Sequence, residues 1–357
     1  MSEGLSVLMC WVDVLAVAYA FVLPTTPATR QHSSNATSAA TCALPQAQTT
    51  TRGHLLGLDM IAAGDSTDPA AQGDPTFSSM RVRSVLRYPI KGGRAEPCDS
   101  ATVSAEGLVG DRRFMVTTAD GKAVTQREQP GLATIEAKAS ADQRYLSLRA
   151  ADGHALNVTI ERGARRMVPC TLFGEQMRLW DQGAEAGMFV GAALKTERSN
   201  PLAALLPQLA PAYRLVHAPP AVRRAGLADL SPVHLICEES LAALNARRTA
   251  AGGSPTSIDR FRPNLVVSGC GKPHAEDEWK SVRIGAATFR VSGPCPRCTV
   301  PDVSQATGKR DVSGGPMTTL GGYRARAGRG VLFGIYLDPI ETGASVRVGD
   351  GVTPVLA

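Results

Sequence analysis

Clustered basic charge and aromatic rings are both scarce in this chain of 357 residues. Aromatics make up 5% and no run of five Lys or Arg occurs, so a nucleic-acid surface, which needs a basic stripe, has little support. The six histidines show no HxH or HExxH spacing, which leaves a histidine metal site without support. The eight cysteines lack framework spacing, and Cys10, Cys42, Cys98, Cys170, Cys237 and Cys270 are each isolated. In a chain this long that pattern fits thiols kept reduced rather than a disulfide scaffold.

What is present is ordinary globular material. A hydrophobic fraction of 43% with 20% charged residues supplies a sizeable core for one large domain or two medium ones. The net charge of +6 suits an anionic cofactor or membrane headgroups better than nucleic acid.

Leu5 to Leu23 is apolar apart from Ser6, Asp13 and the aromatic Tyr19, long enough for a membrane helix or a signal-peptide core. Asp13 is costly in lipid, and no Lys or Arg precedes the run to orient it. Pro24 to about Thr76 is rich in Ala, Thr, Ser, Gln and Pro and cannot bury a core. Residues 1–76 therefore read as an anchor or address plus a tether.

From Ser79 onward short strands dominate. Met80 to Tyr88 alternates polar and apolar, as a half-buried strand does. Further strands are expected at 113–118, 123–126, 132–137, 145–149, 155–160, 174–179, 213–216, 233–236, 261–267, 279–284, 287–291, 330–337 and 345–348. Asp120-Gly121 and Asp152-Gly153 mark hairpin turns. Helices are expected at 186–194, 200–209 and 238–248; the last has Glu238 and Glu239 in its first turn and Arg247 and Arg248 in its last, matching the helix dipole. The fold class is α+β, mostly antiparallel and built around a β-barrel.

The stretch with most chemistry is Pro294-Cys295-Pro296-Arg297-Cys298. Its prolines predict a rigid loop, not a helix or central strand. A cation such as Arg297 beside a thiol favours the thiolate, the form that attacks or binds metal. A zinc half-site lacks a second close cysteine pair, and a redox dithiol usually opens a helix. Two inert cysteines remain an open alternative, since free Cys is often buried. Elsewhere Lys91, Arg112, Arg113, Arg262 and Asn264 each read alone as solvated groups. Arg262 stands out because Pro263 restricts its backbone toward the extended region and Arg can bind phosphate in a fork. His234 reads as a core residue.

Three segments together carry a resemblance: 85–91 (VLRYPIK), 107–114 (GLVGDRRF) and 125–127 (TQR) resemble the N-terminal β-barrel domain of MOSC proteins. The run 261–264 (FRPN), 275–279 (AEDEW), 295–298 (CPRC) and Thr307-Gly308 resembles the MOSC domain itself. The resemblance points to amidoxime-reducing members and implies an N-terminal barrel domain at 79–195 and a MOSC domain at 196–357; residues 1–76, read above as a targeting segment and linker, lie outside it.

It also implies a molybdenum cofactor, a molybdopterin, with Cys298 as metal ligand and catalytic residue. The pterin and phosphate contacts it implies are Lys91, Gly92, Arg113, Ser231, Arg262, Asn264, Pro296, Arg297 and Tyr336. Gly92 and Pro296 stand where amidoxime-reducing relatives carry serine, leaving only backbone contacts there. The implied activity is reduction of N-hydroxylated compounds such as amidoximes, hydroxylamines and N-hydroxylated bases. Electrons would come from a cytochrome b5-type partner with an NADH-dependent reductase, since no ferredoxin-like cysteine cluster follows. The alternative is a non-redox molybdenum-cofactor or sulfur carrier. At superfamily level pyridoxal phosphate binding is also implied. The expected location is a membrane-associated organelle, the mitochondrial outer membrane ahead of a plastid.

Overall fold

Alternation at the start of the globular region produces β1 (Arg81–Arg87), where a register break between Val82 and Ser84 lets Val82 and Val85, three residues apart, both reach one core. The computed structural model describes residues 80–194, 212–220, 222–223 and 225–356. The anchor at 5–23, the tether at 24–76 and the helix expected at 200–209 lie outside them. Among the described residues no helix is long and apolar enough to cross a membrane.

After β1 come β2 (Ile90–Lys91), β3 (Glu96–Cys98), β4 (Ser100–Ser104), β5 (Gly107–Leu108) and β6 (Phe114–Thr118). Residues 123–126 do not return as a strand; a single bridge, Thr117 to Ala123, remains, and a 3-10 turn at Pro130–Thr134 replaces the start of the next one. A three-stranded meander follows: β7 (Glu136–Ala139), β8 (Tyr145–Arg149) and β9 (Ala155–Thr159). Then come β10 (Met167–Leu172), β11 (Glu175–Asp181), α1 (Ala184–Ala193) and β12 (Tyr213–His217). The second half has β13 (Val233–Cys237), α2 (Glu238–Ala250), β14 (Leu265–Ser268), β15 (Trp279–Ile284) and β16 (Ala287–Pro296). It ends with α3 (Pro316–Arg324), β17 (Ala325–Arg326), β18 (Gly330–Pro339), β19 (Ser345–Arg347) and β20 (Val352–Leu356).

The largest sheet runs β20-β15-β16-β18-β13-β14-β1-β3, with β17 on β18. A second sheet runs β10-β11-β12-β6-β2. Pairing is antiparallel apart from β13 with β14 and β2 with β6. The fold is thus mostly β with three α-helices among the described residues, as an α+β class requires. Among the described residues no ladder closes into the expected barrel. The sheet ends at β20 and β3, and β1 meets the approach to β20 through one bridge, Arg81 to Gly351, with Val352 N–H donating to Met80 O at 3.1 Å.

The two halves of the chain exchange strands. β1 and β3 join the sheet built by the second half, β12 joins that of the first, and β19 pairs with β4. Two cores result. One sits in the large sheet around Val85, Leu235, Leu265, Phe289 and Ile335. The other lies around Ile90, Phe114, Leu146, Leu148 and Phe189. Each fully buried Phe or Leu contributes roughly 1.5–3 kcal/mol of transfer free energy.

α2 and α3 cover one face of the large sheet, where Leu244 and Leu320 pack with Ile236, Phe261 and Phe333. β18 can pass close to β13 because of Gly334. It has φ +76, and a Cβ there would lie 2.6 Å from His234 Nε2 and 2.7 Å from Leu235 O. The proline-rich segment departs from expectation. β16 continues to Pro296 between β15 and β18, with its register shifting between Val291 and Gly293 and again between Pro294 and Pro296. Pro294 and Pro296 lie beyond Arg290, the last residue of β16 that pairs with β15, so this end of the strand is bulged and paired only with β18, which tolerates proline's missing N–H.

Candidate functional site

Residues of β2, β13, β16 and β18 converge on one cleft with about 820 Å³ of space between its walls, solvent at the mouth included. Its wall carries five cations, Lys91, Arg112, Arg127, Arg262 and Arg297, against one carboxylate, Asp229. Lys91 is buried and Arg112, Arg262 and Arg297 are half-buried, which is costly unless an anion or a strong acceptor meets them.

Arg262 shows how the fold forces this. It ends a 3-10 turn at Ile258–Phe261 in the left-handed conformation, φ 56 and ψ 46. This overturns the expectation of a strand from Phe261 and of an extended residue before Pro263. Tertiary structure overrides a steric preference worth a few kcal/mol at most, as strained residues at functional sites do. The guanidinium stacks 4.2 Å over the Tyr88 ring and donates from Nη1 to Gly93 O at 2.6 Å. Its Nη2 is buried and has no partner. Burial brings its pKa down to about 10. Tyr88 is itself fixed, with its hydroxyl donating to Pro263 O at 2.9 Å.

Arg112 lies on the same ring at 4.7 Å and donates to Asn264 Oδ1 at 3.0 Å and to Arg262 O at 3.2 Å. Asn264 is fully buried and donates from Nδ2 to Leu86 O at 3.1 Å, so it braces two strands at the cleft floor. Lys91 Nζ donates to Leu227 O at 2.9 Å and pairs with Asp229. Burial pulls the Lys91 ammonium below its ordinary value, and Asp229 offsets part of that. Gly92, at φ +81, turns the chain so that its carbonyl accepts from Gln126 Nε2 at 2.7 Å. Gln126 and Gln305 exchange reciprocal amide bonds of 3.0 Å, joining distant parts of the chain behind the cleft.

The two cysteines differ sharply. Cys295 is 2% exposed, whereas Cys298 is exposed. Arg297 donates from Nη1 to Cys295 Sγ at 3.0 Å and from Nη2 to Phe261 O at 2.8 Å, while its Nε is buried without a partner. The cation between the two cysteines therefore hydrogen-bonds to Cys295. Burial works against the Arg297 charge, but Cys295, Tyr336 and Cys298 outweigh it and its pKa ends raised. Tyr336 is held protonated, its pKa raised by burial and then by Cys295. Ser231 Oγ donates to Leu337 O at 3.2 Å, beside Asp338.

Lys91, Gly92, Ser231, Arg262, Asn264, Pro296, Arg297, Cys298 and Tyr336 thus all line the cleft. Arg113 does not. It pairs with Glu106 and donates from Nη2 to Ala218 O at 2.6 Å and Pro219 O at 3.0 Å. Arg112 faces the cleft in its place, turned there by its own positive φ of 45. His234, read from sequence as a core residue, also lines the cleft. Its Nε2 lies 3.4 Å from Arg297 Nη1, and burial, then Arg297, hold it neutral well below its ordinary pKa. No spacing in the sequence marked His234, because its neighbours in β13 are all apolar.

Residues 79–197 match the family model of the MOSC N-terminal beta barrel domain, and residues 222–353 match that of the MOSC domain. The chain belongs to the MOSC family. This MOSC protein is 30% identical to mitochondrial amidoxime-reducing component 1 of Xenopus laevis, over 76% of this chain and 81% of that protein. To mitochondrial amidoxime-reducing component 1 of Mus musculus it is 31% identical, over 83% of this chain and 89% of that protein. It is also 26% identical to the molybdenum cofactor sulfurase of Oryza sativa subsp. japonica, over 80% of this chain but only 35% of that longer protein. A MOSC-type function related to the molybdenum cofactor follows from these matches.

The residues present fit such a group. An anionic arm would find the orphaned Nη2 of Arg262 and the Nε of Arg297. A soft metal would find an exposed thiol in Cys298.

Proposed function

We propose that this protein is a molybdenum-cofactor-dependent reductase of N-hydroxylated compounds, namely amidoximes, hydroxylamines and N-hydroxylated bases. The observation that supports it best is the cleft, where one exposed thiol stands among five cations and a single carboxylate. The names of the frog and mouse relatives support the substrate class.

Cys298 would hold the metal, with Arg262, Lys91 and Arg297 around the pterin and its phosphate. When bound, the group would supply the two electrons that cleave N–O, so that an N–OH group, two electrons and two protons give an N–H group and water. The protein's part is to bind and orient. Tyr88 and the backbone of Gly93 hold the Arg262 guanidinium in place. Neutral His234 and protonated Tyr336 leave the positive charge of the cleft to the guanidinium and ammonium groups at pH 7.

By family analogy electrons arrive from a cytochrome b5-type donor and its NADH-dependent reductase. The apolar run at 5–23 would tether the protein to an organellar membrane, the mitochondrial outer membrane ahead of a plastid. A second reading is a non-redox carrier of cofactor or sulfur, favoured by the likeness to the rice sulfurase. Metal content and N–O reduction by the purified chain separate the two. Bound molybdenum with turnover of an amidoxime supports the reductase. Bound cofactor without turnover, under any electron donor, supports the carrier. Neither cofactor nor turnover overturns both.

A further inference from the structure

β13 and β14 lie side by side and parallel, with Cys237 opposite Val267, so the chain leaves both strands at the same end of the sheet. This brings together two thiols that are isolated in the sequence. Cys237 ends β13 and sits at the N-cap of α2, while Cys270 lies just beyond β14. With Glu239, in the first turn of α2, they place three ligand atoms within 4.8 Å of one another.

The surroundings are those of a built site. Cys237 is fully buried and Cys270 is 7% exposed. Glu239 Oε1 accepts the N–H groups of Gly269 at 2.8 Å and Cys270 at 3.0 Å, which fixes the carboxylate. Its other oxygen, Oε2, is buried and has no partner. An orphaned carboxylate oxygen is costly, and a cation is one thing that satisfies it. Behind the three, buried Glu276 accepts from the Ser240 hydroxyl at 2.8 and 2.9 Å, and Ser240 Oγ accepts from His274 N–H at 2.8 Å. These bonds hold the loop after β14 against the first turn of α2, as outer neighbours of a metal site do.

We propose that Cys237, Cys270 and Glu239 bind one divalent cation of borderline softness, a zinc-type ion, at a site separate from the cleft. Two sulfurs and one oxygen are a zinc-type donor set, whereas calcium and magnesium require oxygen throughout. A water completes four coordination. Binding displaces one proton from each thiol. Two thiolates, one carboxylate and a divalent ion leave a single negative charge, which the N-terminus of α2 favours. The ion clips the loop after β14 to α2 and so stiffens the strand pair whose opposite end carries His234 and Asn264.

The test uses the full-length chain, stripped with a chelator and then titrated with zinc and, separately, cobalt(II). The expected result is one zinc per chain, a thiolate-to-cobalt charge-transfer absorption and a raised melting temperature, all retained in Cys298→Ser. Cys270→Ser and Glu239→Gln should each weaken zinc binding at least tenfold. Glu239→Gln keeps the Oε1 acceptor for Gly269 and Cys270, so circular dichroism of that variant should match wild type and separate lost ligation from lost fold. Three results would overturn the proposal: no zinc bound beyond what Cys298→Ser removes, unchanged zinc affinity in both site variants, or a Cys237–Cys270 disulfide in the protein purified under reducing conditions.

Discussion

Arg297 Nη1 lies 3.0 Å from Cys295 Sγ, so the buried cysteine of the pair holds the cation and the exposed Cys298 is left facing the cleft. One cysteine is then a fixed part of the wall and the other a free ligand. Cys298→Ser should lower N–O reduction by more than about a hundredfold, since hydroxyl is a poor ligand for a soft metal, with an unchanged circular dichroism spectrum. Cys295→Ser keeps an acceptor for Arg297 and should stay within about tenfold of wild type. Steady-state rates with an amidoxime decide it, and full activity in Cys298→Ser would sink the assignment.

Arg262 offers a buried nitrogen with no partner. Arg262→Ala should leave a phosphate arm uncompensated, at a cost on the order of 2–5 kcal/mol in cofactor affinity. Arg262→Lys should rescue only partly, because an ammonium cannot make the bidentate fork. Pterin released on denaturation measures both. Wild-type pterin in Arg262→Ala would mean that the phosphate sits elsewhere in the cleft.

Met80 is 1% exposed and belongs to the core of the large sheet, whereas 1–76 lacks core-forming composition. A truncated chain starting at Ser78 should be soluble and unfold in a single cooperative transition in urea. Aggregation of that chain would show that the N-terminal segment contributes to folding.

His217 is 6% exposed, stacked 4.5 Å from Phe114, and burial lowers its pKa to about 3. Its folded value lies below the unfolded one, so the unfolded state binds the extra proton first. Stability therefore falls as pH drops below about 6.5, by up to about 1.4 kcal/mol per unit for this group. Buried His234 acts in the same direction, while Glu276, its pKa raised by burial, opposes it at lower pH. Urea unfolding at pH 7 and pH 5 should show the loss, and His217→Gln should reduce it. An identical slope in that variant would remove His217 as a source.

Much of the site was legible because its residues sit in short motifs: FRPN at 261–264 and CPRC at 295–298 both reach the cleft. What was hidden depended on backbone angle or on distant pairing. Arg112 and Arg113 are neighbours, and only the positive φ of Arg112 decides which one enters. Arg262 takes a left-handed conformation that its following proline argues against. His234 carries no local signal, since its role comes from Arg297 and Tyr336 across β18. In the fold, alternation at 81–87 and 145–149 gave clear strands. The two-residue strands β2 and β5 and the pairing of β19 with β4 did not show, because their partners are remote or their runs too short for a period.

The claim that the cation-lined cleft holds a molybdenum cofactor is tested most directly by elemental analysis of the full chain, purified from a host that makes the cofactor. The account predicts about one molybdenum per chain, retained through gel filtration and strongly reduced in Cys298→Ser. Wild-type protein free of both molybdenum and pterin after such expression would contradict it.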